Sequence, residues 1–181
     1  ERYKCSFWIS FGRLAVVGKN VGFTGVLTVF SLLAAPYMAY VAVSSYVYVQ
    51  YFGLSEQVYS YFFAANSFLA VVGPFLYMKL IGIVSPRQFT YGCFIFTVVA
   101  AAALLTVGSI SPWWFLISFL PVTIMESAAR PFSTAILLDQ QKTDIGSASS
   151  LINAVNTVFG SLGMMLGALN WSNFIEGLGI I

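Results

Sequence analysis

The chain alternates between long apolar stretches without any charged side chain and short segments in which charged residues cluster. The uncharged stretches cover residues 20–55, 57–78, 88–125 and 145–175. Apolar residues recur in them at helical spacing, and the alternation typical of strands is missing. Because a bilayer core about 30 Å thick needs roughly 20 apolar residues of helix, the pattern predicts several membrane-spanning α-helices.

The third stretch is too long for a single span and contains a turn-like sequence between Gly108 and Pro112, so it is divided into two helices. The first stretch predicts one long helix that is kinked at Pro36, since proline cannot donate the backbone hydrogen bond that a helix interior requires. The predicted spans cover residues 21–51, 57–78, 88–107, 112–138 and 146–169, and a last span starts at 171.

The composition agrees with a membrane protein. Of the 181 residues, 59% are hydrophobic and 8% are charged, whereas a soluble domain carries about a quarter charged residues. The net charge of +2 is small and scattered, which argues against a nucleic-acid partner. The expected fold class is all-α: a polytopic membrane protein with five complete transmembrane helices and the start of a sixth.

The basic residues predict an orientation in the lipid bilayer. Seven of the eight lie in the N-terminal segment or in every second connection between spans: Arg2, Lys4, Arg13, Lys19, Lys79, Arg87 and Lys142. The other connections contain neither lysine nor arginine. Since positively charged loops stay in the cytoplasm, the N-terminus of this segment is expected there. Residues 1–20 then form a cytoplasmic loop segment, and residues 21–181 form the transmembrane helix bundle.

Polar side chains in the first span lie on one arc of the predicted helix: Tyr37, Tyr40, Ser44, Tyr48 and Tyr51. Such a stripe is either the lining of a cavity or an aromatic belt at the membrane interface. The belt suits Tyr48 and Tyr51 near the end of the span, but it suits Tyr37 and Tyr40 poorly because they lie near mid-membrane. We therefore expect Tyr37, Tyr40 and Ser44 to line a substrate cavity.

Asparagines occur in the second and fifth predicted spans, at positions 66, 153 and 156. A buried asparagine finds its partner either on a neighbouring helix or in a hydrated cavity, so both roles stay open for Asn66, Asn153 and Asn156. Three glycines share one side of the fifth span, and their spacing allows a second helix to approach closely. These predicted helix-packing residues are Gly160, Gly163 and Gly167.

The fourth predicted span carries an ion pair. Glu126 and Arg130 are four residues apart with the acid before the base, which is the favourable order on a helix. A charge far from the membrane surface costs at least ~3 kcal/mol when it faces lipid, so the pair is expected to face protein or water. Three roles stay open: locking two helices together, binding a charged or polar substrate, and proton exchange at Glu126. The pair completes the set of candidate substrate-cavity residues: Tyr37, Tyr40, Ser44, Asn66, Glu126, Arg130, Asn153 and Asn156.

The sequence contains no pattern typical of an enzyme. Histidine is absent, and the two cysteines, Cys5 and Cys93, lie far apart. There is no phosphate-binding loop, no zinc-binding helix motif and no serine nucleophile motif. We therefore expect no catalytic activity, no metal and no cofactor.

Two segments carry a family resemblance. The stretch Tyr46–Tyr77, with Val-Gln-Tyr-Phe-Gly-Leu-Ser-Glu inside it, resembles the seventh-to-eighth-helix region of major facilitator superfamily drug:proton antiporters of the bicyclomycin-resistance type. Gly146–Leu151 resembles the opening of that family's eleventh helix. The basic loop from Lys79 to Arg87 takes the place of the family's second cytoplasmic loop motif, but it lacks the acidic residue often found there.

The resemblance implies that the chain is the C-terminal half of a transporter, from helix seven to the start of helix twelve. It further implies a missing N-terminal six-helix half as partner, and multidrug efflux by alternating access. Small amphipathic substrates would be exchanged for protons at the bacterial inner membrane. A metabolite or sugar transporter of the same fold and a non-transporting membrane scaffold are the alternatives.

Overall fold

The computed structural model describes residues 16–140 and 145–181, which are helical along most of their length and contain no β-strand. The helices are α1 (Val21–Leu32), α2 (Ala34–Ser45), a π-helix (Tyr46–Tyr51), α3 (Glu56–Ala70), α4 (Val72–Leu80), α5 (Pro86–Val107), α6 (Pro112–Asp139), α7 (Ile145–Gly167) and α8 (Phe174–Ile180). Several residues that entered the predictions lie outside the described ranges: Arg2, Lys4, Cys5, Arg13 and Lys142.

In the described part of the chain, four helical segments are long and apolar enough to cross a membrane: Val21–Tyr51, Glu56–Leu80, Pro86–Val107 and Ile145–Gly167. α6 has the length to cross as well, with 28 residues, but its charged and polar side chains lower its hydropathy. The all-α polytopic membrane fold is therefore confirmed. α8 begins at Phe174, later than the start predicted at Trp171, because the Asn173 side chain caps its first turn.

Successive spans run in alternate directions, so that their connections collect at two ends of the bundle. An apolar cluster that includes Tyr48 and Phe115 lies toward the end at which α3 begins. A second cluster, formed by the start of α1 with the end of α6 and the start of α7, lies toward the other end. The end of the bundle at which α3 begins is called the Glu56 end below, and the opposite end is called the Arg87 end.

Two of the spans are interrupted shortly before a proline. α1 and α2 separate at Leu33, ahead of Pro36, and α3 and α4 separate ahead of Pro74. Proline has no N–H group to donate to the carbonyl four residues earlier. At the second break, the carbonyl of Ala70 instead accepts a hydrogen bond from the Ser127 hydroxyl of α6. The kink expected at Pro36 is thus an interruption at Leu33.

The end of the first span widens into the π-helix Tyr46–Tyr51, whose hydrogen bonds join residues five apart. The wider turns change the directions of the side chains relative to an α-helix. Tyr48 is fully buried, whereas Tyr46 and Tyr51 are about half exposed. The polar arc predicted from an α-helical wheel therefore does not continue to the end of this span.

The three glycines of α7 lie buried against α2. A Cβ atom on Gly163 would collide with the backbone of Ala35, and one on Gly167 would come within 3.2 Å of Ala39. Gly160 faces a methionine side chain of α2. The absence of side chains thus allows the two backbones to touch.

Gly163→Ala is expected to destabilise the bundle by about 1–3 kcal/mol, because the added methyl group has no room against the α2 backbone. Gly92→Ala in α5 is the matched control, since a Cβ atom there meets nothing within 4 Å. Thermal unfolding of the purified full-length protein in detergent measures both effects. Equal stability of the two variants would contradict the close contact between α2 and α7.

Candidate functional site

Glu126 and Arg130 form an ion pair in α6. The Nε atom of Arg130 donates a hydrogen bond of 2.6 Å to Oε1 of Glu126. The two side chains differ in their surroundings, because that of Glu126 is 7% exposed and that of Arg130 is 55% exposed. The carboxylate is therefore held inside the bundle, while the guanidinium reaches its surface.

Arg130 emerges into an open groove of about 420 Å³ between α2 and α7, called the Arg130 groove below. Two predicted cavity residues, Asn153 and Asn156, line the same groove from α7. The remaining lining residues are Met38, Thr157, Gly160, Ser161 and Met164. Asn156 also accepts a hydrogen bond of 2.7 Å from the Ser31 hydroxyl, which connects α7 to α1.

Tyr37 is half-buried on α2, directly before the groove residue Met38, but it does not line the groove. Of the eight predicted cavity residues, Arg130, Asn153 and Asn156 line the groove, and Glu126 is joined to it through its ion pair with Arg130.

Tyr40, Ser44 and Asn66 lie in the packed interior instead. Tyr40 is fully buried, and its ring stacks on that of Phe119 with 4.3 Å between the ring centroids. The Ser44 hydroxyl lies 3.2 Å from the hydroxyl of Tyr59. Asn66 accepts a hydrogen bond of 2.9 Å from a threonine hydroxyl of α6. These three residues thus find their contacts on neighbouring helices, and the structure does not bring them to the Arg130 groove.

Four residues of the Arg130 groove were not predicted from the sequence: Met38, Thr157, Ser161 and Met164. Three of them follow Asn153 on the same face of α7, at steps of four, four and three residues. A helical wheel extended beyond the asparagines would have found these three. Met38 gave no signal, because an apolar residue in an apolar span resembles its neighbours.

The Arg130 groove offers one cation, two amides and two hydroxyls, together with two methionine side chains. A few polar groups in an otherwise apolar groove can orient a ligand, and methionine adapts to ligands of different shapes. Among residues 16–140 and 145–181, no group of three or more His, Cys, Asp or Glu side chains could hold a metal ion. The polar and apolar side chains of the groove suit the binding of a ligand.

Comparison with curated proteins finds a relative in Bacillus subtilis (strain 168), the uncharacterized MFS-type transporter YdgK. The sequences are 25% identical over 174 residues, which are 94% of this chain and 43% of the relative. The similarity supports membership of the major facilitator superfamily. The chain spans less than half the length of this relative. No family model and no solved structure matches the chain.

Removing the charge of Arg130 and removing the charge of Glu126 are expected to lower the free energy of unfolding by different amounts. Arg130→Gln leaves the Glu126 carboxylate buried without its partner, which we expect to cost about 1–3 kcal/mol. Glu126→Gln leaves a guanidinium that is already more than half exposed, so its cost should stay below about 1 kcal/mol. Unfolding of the two purified full-length variants at neutral pH measures the difference, and a larger loss for Glu126→Gln would contradict the assignment of the buried partner.

Proposed function

We propose that this chain is the C-terminal half of a secondary active transporter and that the Arg130 groove forms one wall of its substrate site. The observation that carries this proposal is the convergence of a half-exposed arginine, two asparagines and two hydroxyls on one open groove among apolar helices. A bundle that serves only as a membrane anchor has no use for such a surface, because charged groups that face hydrocarbon are costly. The similarity to an MFS-type transporter supports the same function.

The open side of the groove is covered, in this proposal, by an N-terminal half with six helices. The chain corresponds to 43% of the relative's length, so the relative is long enough to contain a second half. Two halves that rock against each other expose a central site alternately to the two sides of a membrane. The polar side chains then face a hydrated interface between the halves rather than lipid.

The substrates we propose are amphipathic drugs, exported across the bacterial inner membrane in exchange for protons. The resemblance of Tyr46–Tyr77 and Gly146–Leu151 to drug:proton antiporters supports this assignment. Met38 and Met164 add flexible apolar walls, which suit ligands of varied shape. Glu126 is the carboxyl group that exchanges the proton in this proposal.

A metabolite transporter of the same fold is the second candidate, and the exposure of the ion pair favours it. The charge that reaches the groove is the Arg130 guanidinium, whereas the Glu126 carboxylate is almost fully covered. A guanidinium binds carboxylate and phosphate groups through paired hydrogen bonds, so the groove presents a site for an anionic group. A scaffold predicts that every polar stripe is sealed by helix contacts, which describes Tyr40 and Asn66 but not the groove.

Thiol labelling tests whether the Arg130 groove is accessible to water. In a full-length, cysteine-free background, Asn153→Cys is expected to react with a hydrophilic thiol reagent, because this residue is exposed in the groove. Asn66→Cys is the matched control, since Asn66 is 1% exposed and should be protected. Protection of both cysteines would show that the groove is not accessible to water. That result would contradict the proposed substrate site and favour the non-transporting membrane scaffold.

Transport assays with the full-length protein decide between the two substrate classes. Drug efflux predicts that Glu126→Gln increases the sensitivity of cells to at least one cationic drug, since the carboxyl can then no longer exchange a proton. Metabolite transport predicts that Arg130→Gln abolishes uptake or export of an organic anion, while Arg130→Lys retains part of it. Unchanged resistance of Glu126→Gln across a drug panel would contradict drug export through this carboxyl group.

A further inference from the structure

Two apolar grooves lie side by side at the Arg87 end of the bundle, outside the Arg130 groove. The larger, of about 500 Å³, follows the connection from α4 to α5 and is bounded by Phe89 and Phe132. The smaller, of about 300 Å³, lies between α1, α5 and α6. Pro86 and Ile136 line both of them, so the two grooves adjoin.

The walls of both grooves are mostly apolar. Beyond the shared residues and the two phenylalanines, the larger groove is lined by Tyr77, Leu80, Ile81, Gly82, Ile83, Val84 and Ser85. In the smaller groove, α1 contributes Val26 and Phe30. Apolar grooves on the outside of a membrane-spanning bundle lie next to lipid chains. An acyl chain that fills such a groove makes close van der Waals contacts with its apolar walls.

A positive charge lies where the two grooves meet. Arg87 directly follows the shared residue Pro86, lines the smaller groove, and is exposed. In the described ranges of the chain it has no carboxylate partner, since the ion pair found there joins Glu126 and Arg130. Lys79, in the last turn of α4, is a second exposed cation, and no acidic residue separates the two along the chain.

An arginine can also serve as a simple anchor at the membrane interface. Such an anchor needs no groove beside it, and an apolar groove without a charge would accept any lipid. The Arg87 end combines both features: a free cation that lines the smaller groove, and a larger groove that adjoins it. A ligand that matches this combination has one anionic group and two apolar chains.

We propose that the Arg87 end binds one anionic diacylphospholipid, with its phosphate at Arg87 and its two acyl chains in the adjoining grooves. Basic pockets between membrane helices hold anionic headgroups in this way. This site is independent of the substrate that the Arg130 groove binds.

Native mass spectrometry of the full-length protein tests the proposal. The protein is incubated with equal amounts of phosphatidylglycerol and phosphatidylcholine that carry identical acyl chains, and the retained lipids are counted. The wild-type protein is expected to retain phosphatidylglycerol preferentially. Arg87→Gln should reduce that preference roughly fivefold, since one basic residue near the surface contributes about that factor. Arg87→Lys should restore part of the preference.

Lys19→Gln is the matched control, because Lys19 is an exposed cation near the same end that lines neither groove. Equal effects of Lys19→Gln and Arg87→Gln would overturn the proposal, as would equal retention of both lipids by the wild-type protein. Glycerol 3-phosphate is added as a soluble headgroup. If it displaces phosphatidylglycerol at comparable concentration, the site is a free-phosphate site and the lipid is rejected.

A second variant tests the acyl chains. Thr90→Trp places a large ring in the smaller groove, which Thr90 lines, and should lower retention of both lipids, whereas Thr90→Ser should not. Thermal unfolding of each variant shows that it is folded. Unchanged retention in a folded Thr90→Trp protein would exclude this groove as a chain site. Because these measurements involve no substrate, they do not depend on the proposed transport function.

Discussion

The requirement that organises the bundle is that the Glu126 carboxylate must be kept away from hydrocarbon, where a charge is costly. α6 carries this carboxylate, and α3, α4 and α5 pack along it while α1 covers another side. Because its neighbours shield it, α6 tolerates charged residues and two internal prolines, Pro121 and Pro131. The surrounding helices have the apolar composition of membrane spans, although α6 does not.

A second constraint determines the shape of the Arg130 groove. α2 and α7 touch through the glycines, so that a Cβ atom on Gly163 would collide with the backbone of Ala35. Residues beside this line of contact cannot enter it, and Asn156, Thr157 and Met164 therefore line the edge of the groove. The same close contact brings α7 near Arg130. Packing by small residues and a polar groove are thus two consequences of one helix pair.

The positions of the helices followed from the sequence because bilayer thickness gives an uncharged stretch its length, and prolines indicate where a span is interrupted. The ion pair was also predictable, since a spacing of four residues is a local property of one helix. Which polar residues share a groove depends instead on helix neighbours and rotation. Asn66 and Asn156 look alike in sequence, yet one faces α6 in the core and the other lines the groove. The π-helix left no sequence signal and changed the predicted tyrosine arc.

The unequal exposure of the ion pair connects ligand charge to the direction of proton movement in the proposed transporter. In the proposed transporter, an anionic ligand in the groove would compete with Glu126 for Arg130, because the guanidinium reaches the groove. The buried carboxylate would then lack its partner, and a proton would remove the uncompensated charge, so an anion and a proton would bind together and move in the same direction. A cationic ligand would bind Glu126 only after it displaced Arg130 or a proton from the carboxylate. Displacement of the proton by the ligand corresponds to exchange, in which the two move in opposite directions. Antiport of cationic drugs therefore requires a conformation in which the carboxylate, and not the guanidinium, is exposed to the groove.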